Sequence, residues 1–160
     1  MPKVGIIYYS RTGNTEKMAR SVFEGVKEEE GVEVELKKVE ETTPEDLLKW
    51  DGIIVGSPTY YGLPAAPIKE LFDRSVKYHG KLEGKVGAAF SSSGIMGGGN
   101  ETTVLAIIQM MLVHGMIVKG TSRAAHYGPV TIGKPDKRAE KECRALGKTV
   151  ARMVKKVPIC

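Results

Sequence analysis

Apolar runs and helical stripes alternate along this chain. Val4 to Tyr9 is a short β-branched and aromatic run without polar alternation, the pattern of a strand covered on both faces in a parallel sheet. Met18, Ala19, Val22, Phe23 and Val26 then recur at helical spacing among charged residues, predicting an amphipathic helix closed by Gly31. Val32-Glu33-Val34-Glu35-Leu36 alternates apolar and charged positions, as a half-exposed edge strand does. Thr43-Pro44-Glu45-Asp46-Leu47-Leu48 predicts a short helix with Thr43 as N-cap and Pro44 at its first position. The run from Asp51 reads as a second buried strand halted by Pro58. Ile68, Leu71, Phe72 and Ser75 mark the helix after it, and Lys85 to Ser91 a third central strand. Glu101 to Val113 is apolar over more than one stripe, so this helix is either deeply buried or also meets another subunit. Met116-Ile117-Val118 is a short last strand, and Ala139, Cys143, Leu146, Val150 and Val154 give a closing amphipathic helix.

Strand and helix in five rounds require a parallel sheet with helices on both faces, and right-handed crossovers make it a doubly wound three-layer sandwich. With the half-exposed second strand at the edge, the predicted order is 2-1-3-4-5. The 160 residues suit one domain, 1–160, with room for a real core. No run approaches membrane-spanning length, and the N-terminal apolar run ends at Ser10-Arg11 without a small-residue cleavage site. The expectation is therefore a cytoplasmic protein without a membrane span. The net charge of +5 is spread along helices and interleaved with Glu, which reads as solvated faces and argues against a nucleic-acid partner. Cys143 and Cys160 are too few and too unpatterned for a disulfide framework or zinc site, so no metal is expected. Cys143 reads as core filler.

Three loops carry candidate chemistry. Ser10-Arg11-Thr12-Gly13-Asn14-Thr15 follows the first strand and opens the first helix. Unpaired N–H groups and the positive dipole end of a helix start suit an oxyanion, with side-chain donors and Arg11 adding to them. Ser57-Pro58-Thr59-Tyr60-Tyr61-Gly62 sets two large rings after the second buried strand. Ser91 to Asn100, which contains Ser92, Ser93, Gly94 and Gly97, is rich enough in Gly and Ser for its backbone to approach a ligand. In the predicted order the first two loops lie at the switch point and the third beside them. A ligand with a phosphate at one end and a flat, partly apolar group at the other fits, and flavin mononucleotide has both. The G-x-G-x-x-G fingerprint and the Walker sequence are missing after the first strand. An acidic cluster, required by a response regulator of the same sheet order, is replaced there by Ser10-Arg11. The long stretch Thr121 to Lys134, holding His126 and Tyr127, reads as a loop at a site mouth.

Ser10 to Thr15 resembles the FMN-phosphate loop of the flavodoxin-like family. Ser57 to Gly62, Ser92-Ser93-Gly94 through Gly97-Gly98-Gly99, and His114-Gly115-Met116 are together similar to the WrbA-type NAD(P)H:quinone oxidoreductases. The resemblance implies FMN with its phosphate at Ser10 to Thr15 and its isoalloxazine between Thr59 to Tyr61 and Ser92 to Gly97. It further implies His114 as a catalytic residue at the flavin edge, NAD(P)H as electron donor, a quinone or other small acceptor, and a homo-oligomer, dimer or tetramer. The rival readings are an electron carrier between proteins and a non-catalytic FMN-binding module. Such carriers are usually acidic, and +5 counts against the first of these.

Overall fold

The computed structural model describes residues 1–157, so the expectation for Cys160 lies outside the described residues. The strands are β1 (Lys3–Tyr8), β2 (Glu33–Lys38), β3 (Gly52–Tyr60), β4 (Leu63–Pro64), β5 (Val86–Ser93), β6 (Ile117–Val118) and β7 (Val130–Ile132). The helices are α1 (Asn14–Lys27), α2 (Asp46–Lys49), α3 (Ala66–Arg74), α4 (Asn100–Val113) and α5 (Lys137–Val154). The sheet runs β2-β1-β3-β5-β6, with β4 paired to β3 and β7 to β5. Setting the small β4 aside, this is the predicted 2-1-3-4-5 order, with β6 and β7 together filling the fifth place.

Alternation along the strands builds two cores. Val4, Ile6 and Tyr8 of β1, Ile54 of β3 and Phe90 of β5 pack with Met18, Val22, Cys143 and Val150 of α1 and α5. Ile7, Ile53, Val55 and Ala89 face the other way, onto Ile68, Leu71, Val104, Ile107 and Met111 of α3 and α4. Both sheet faces are thus covered, which is why the central strands read as unbroken apolar runs. Cys143 is fully buried, and burial pushes its thiol up to about 12. An inert core residue is the result.

Several boundaries differ from the sequence expectation. β3 does not halt at Pro58 but continues to Tyr60, then turns back through Tyr61 and Gly62 into β4. The Gly56 carbonyl accepts from Tyr9 N–H, so two residues on the Pro58 nitrogen faces the same side, where β1 has already ended. No ladder bond is lost. Thr43 is not an N-cap: the α2 helix begins at Asp46, whose own carboxylate takes the N–H and hydroxyl of Thr43. The first helix ends at Lys27, before Gly31. The long loop from Thr121 contains β7, and the fifth strand is split. β6 pairs with Val86 and Gly87, β7 with Ser91 to Ser93, and the chain between them leaves the sheet. Among the described residues, no helix is long and apolar enough to cross a membrane.

Candidate functional site

At the carboxyl ends of β1, β3 and β5 lies a cavity of about 320 Å³. Arg11, Thr12, Asn14 and Thr15 of the first loop line it together with Pro58, Thr59 and Tyr60 of the second and Ser92, Ser93 and Gly94 of the third. Ten residues from three separated loops are therefore brought to one place, as the switch-point argument requires.

The first loop is built around Ser10. Its hydroxyl oxygen accepts the N–H groups of Gly13 (3.1 Å) and Glu16 (3.2 Å), folding the chain back on itself. Gly13 takes a left-handed conformation, φ 98°, immediately before α1, a geometry that costs a side-chain-bearing residue. Gly13 brings no side chain to the helix start, and Ser10 takes only the Glu16 N–H of its first turn. Among the described residues the N–H groups of Arg11, Thr12, Asn14 and Thr15 find no acceptor. Four unpaired donors on residues lining one cavity, at the positive end of a 14-residue helix, suit an oxyanion. Arg11 adds a cation, and no carboxylate lines the cavity.

Thr15 differs from expectation in its side chain. It is buried, and its hydroxyl shares a 2.9 Å hydrogen bond with that of Ser92. The first and third loops are thereby tied together, leaving Thr15 its N–H for a ligand. Thr59 and Ser91 make the matching link between β3 and β5 at 3.0 Å. Tyr60 is partly exposed at the cavity edge, 38% accessible, and meets Tyr9 edge to face, ring centres 6.3 Å apart. Burial, then the neighbouring Tyr9, raises the Tyr60 pKa above its ordinary value, so the phenol stays protonated near neutrality.

Other expected residues stand outside the cavity. Tyr61 is fully exposed at the hairpin tip with φ 49°, beside Gly62 with φ 78°. These two left-handed residues form the turn, and Gly62 abuts Gly99 and accepts from the Thr102 hydroxyl at 3.3 Å. Gly97, φ 71°, shapes the third loop. Gly133 lines the cavity although it was missed in the sequence; its N–H reaches the Ser93 carbonyl at 2.7 Å. Only its place just after β7, invisible without that strand, would have pointed to it.

His114 does not line this cavity. It caps the C-terminus of α4, where the adjoining Gly115 carbonyl accepts from Gly84 N–H before β5 begins. That is the amino end of the sheet, opposite the loops. The Ser75 hydroxyl donates to the Phe72 carbonyl at 2.6 Å, so His114 Nε2–H donates to Ser75 Oγ at 2.8 Å. His114 Nδ1 is then buried without a partner. Burial, helped by His79, holds the imidazole pKa below its ordinary value and the ring neutral. The HGM resemblance located a helix end rather than a residue of this chain's cleft.

The chain is similar to known proteins over most of its length. A family model described as Flavodoxin matches residues 6–107. A protein named "Flavodoxin" from Aquifex aeolicus is 46% identical over 162 residues, covering 96% of this chain and 88% of that protein. A protein from Archaeoglobus fulgidus named "NAD(P)H dehydrogenase (quinone)" is 32% identical over 191 residues, with 98% and 100% covered. The solved structure of a flavodoxin from the domain Archaea superposes with a TM-score of 0.79 at 29% identity, covering 96% of this chain and 99% of that one. The family match over residues 6–107 and the near full-length identity to the Aquifex protein together establish that the chain belongs to the flavodoxin family.

Proposed function

We propose that this protein binds FMN in the switch-point cavity and uses it to carry electrons from NAD(P)H to a quinone. The observation that carries the FMN reading is the start of α1, where the N–H groups of Arg11, Thr12, Asn14 and Thr15 lack acceptors in a cavity free of carboxylates. Arg11, Thr12, Asn14 and Thr15 would hold the phosphate. Pro58, Thr59 and Tyr60 on one wall and Ser92, Ser93 and Gly94 on the other would hold the ring. When bound, FMN supplies a ring that accepts and releases one or two electrons.

The chain's own residues then have defined tasks. Ser10 shapes the cradle, and the Thr15–Ser92 and Thr59–Ser91 links keep the walls at fixed spacing. Tyr60 covers apolar surface while keeping its hydroxyl proton. No side chain need react covalently, and His114 takes no part in the cavity. The two-electron reading is supported by the name of the Archaeoglobus relative and by the +5 charge, which favours a small anionic donor over a basic protein partner.

A second reading, electron carriage between proteins, is favoured by the exposed apolar Tyr61, Ile95 and Met96 in the hairpin and third loop and by the name of the Aquifex relative. Steady-state oxidation of NADH and NADPH by the FMN-loaded protein with benzoquinone separates the two. The enzyme reading predicts turnover far above free FMN. Turnover no faster than free FMN, with rapid exchange with a redox protein, selects the carrier.

A further inference from the structure

Between β6 and β7 the chain leaves the sheet for residues 119–129 and packs against α5, enclosing a second cavity of about 460 Å³. This excursion interrupts pairing along the edge of β5. Ladder bonds stop after Gly87 and resume at Ser91. Its shape is nevertheless fixed. Thr121 N–H donates to the His126 carbonyl at 3.2 Å, His126 Nδ1–H to the Thr121 carbonyl at 2.7 Å, and Gly128 N–H to the Ala125 carbonyl at 3.0 Å. Gly128 sits so close to β5 that a Cβ would come within 2.0 Å of the Ala89 carbonyl oxygen. Ala125 is held at φ 50°, a conformation that non-glycine residues seldom keep without surrounding constraint.

The lining has two characters. Lys119, Arg123, Arg138 and Lys141 place four cations against one carboxylate, Glu142. Arg138 already engages Glu142 at 2.6 Å, while among the described residues Lys119, Arg123 and Lys141 enter no ion pair. The remainder of the wall includes Tyr127, Pro129 and Leu146, flat or apolar surfaces. A cavity with this volume, an apolar wall and unpaired cations suits an anion that carries a planar ring.

We propose that this cavity is a second ligand site, taking the phosphate-bearing adenosine of a nucleotide, with the base against Tyr127 and the phosphate toward Arg123 and Lys141. That chemistry has two sources, the adenosine end of a dinucleotide such as NADPH and a free adenine nucleotide.

The test uses the FMN-loaded protein, so that the first site is filled, and follows amide NMR shifts with 2′,5′-ADP, 5′-AMP and inorganic phosphate as probes. Saturable binding of both nucleotides is expected, tighter than phosphate by about tenfold or more, with shifts concentrated in 119–129 and in 138–149 of α5. Arg123→Glu with Lys141→Glu should weaken both nucleotides at least about tenfold, with FMN affinity and melting temperature unchanged. Tyr127→Ala should weaken the nucleotides and leave phosphate alone. If NADPH is the source, the double variant raises its KM at constant kcat; if a free nucleotide is, KM holds while AMP binding falls. Shifts that do not saturate, that fall outside 119–129 and 138–149, or that persist undiminished in the double variant overturn the site. The nucleotide titrations need no turnover, so failure of the reductase reading leaves them decisive.

Discussion

Single residues carry the chemistry of the cradle. Asn14 stands at the first position of α1, within the cavity and beside free N–H donors. Replacing it with Asp sets a carboxylate against the ligand's phosphate, and we expect FMN affinity to fall at least about tenfold, roughly 1.4 kcal/mol, by fluorescence titration. His114 makes a prediction of a different kind. Its pKa is lowered in the folded state, so below about pH 6.5 the unfolded chain takes up a proton that the folded chain resists. Its stabilising contribution is therefore present above that pH and is lost as the pH falls. Denaturant midpoints measured from about pH 7 down to about pH 5 should drop more steeply for the wild type than for His114→Gln, whose amide keeps a donor for Ser75 and does not titrate. Ser, Thr, Gly and Asn before a helix most often cap it, as Ser10 does for the Glu16 N–H; the first loop stood out in the sequence because so many donors follow one buried strand together. The role of His114 was not legible there, because a motif fixes chain position and leaves open which pole of the sheet that position occupies.

Elements were legible where one periodicity dominated. β1, α1, β5 and α5 carry clean buried or amphipathic patterns, and each formed near its expected place. Departures arose where tertiary pairing overrode a local signal. Pro58 is a strand breaker only if its nitrogen faces a neighbour, and here it faces past the end of β1. The three residues of β7 were too short to register as a periodic run and depend on pairing with Ser91 to Ser93. The α1–α5 contact offers a test at this scale. Gly25 and Gly147 let the two helices touch backbone to backbone; a Cβ on Gly147 would lie 2.2 Å from the Val22 carbonyl oxygen and one on Gly25 2.1 Å from that of Arg144. Gly147→Ala should cost about 3 kcal/mol in denaturant unfolding, since neither backbone can yield without moving the helix. The substitution would spoil α1 packing and, through it, the alignment of the cradle.

For the whole molecule, sheet order decides function more than any one loop. Placing β1, β3 and β5 side by side brings three distant segments to one end of the sheet, and ten of the fifteen residues expected to bind cofactor line one cavity. The remaining five act as turns or scaffold, or sit at the hairpin tip, as Ser10, Gly13 and Tyr61 illustrate. Surface character was only partly legible. Leu105, Leu112 and Val113 leave apolar area on α4 exposed, as its broad stripe suggested, whereas the basic cavity beside α5 depends on residues from two distant segments.

The central claim is that the α1 cradle selects a phosphate and thereby FMN. Apoprotein titrated in parallel with FMN and riboflavin, which differ by that phosphate alone, tests it most directly. The account predicts that FMN binds at least about a hundredfold more tightly, near 2.7 kcal/mol, with the difference shrinking as salt is raised. Equal affinity for the two flavins, or binding of neither, would contradict it.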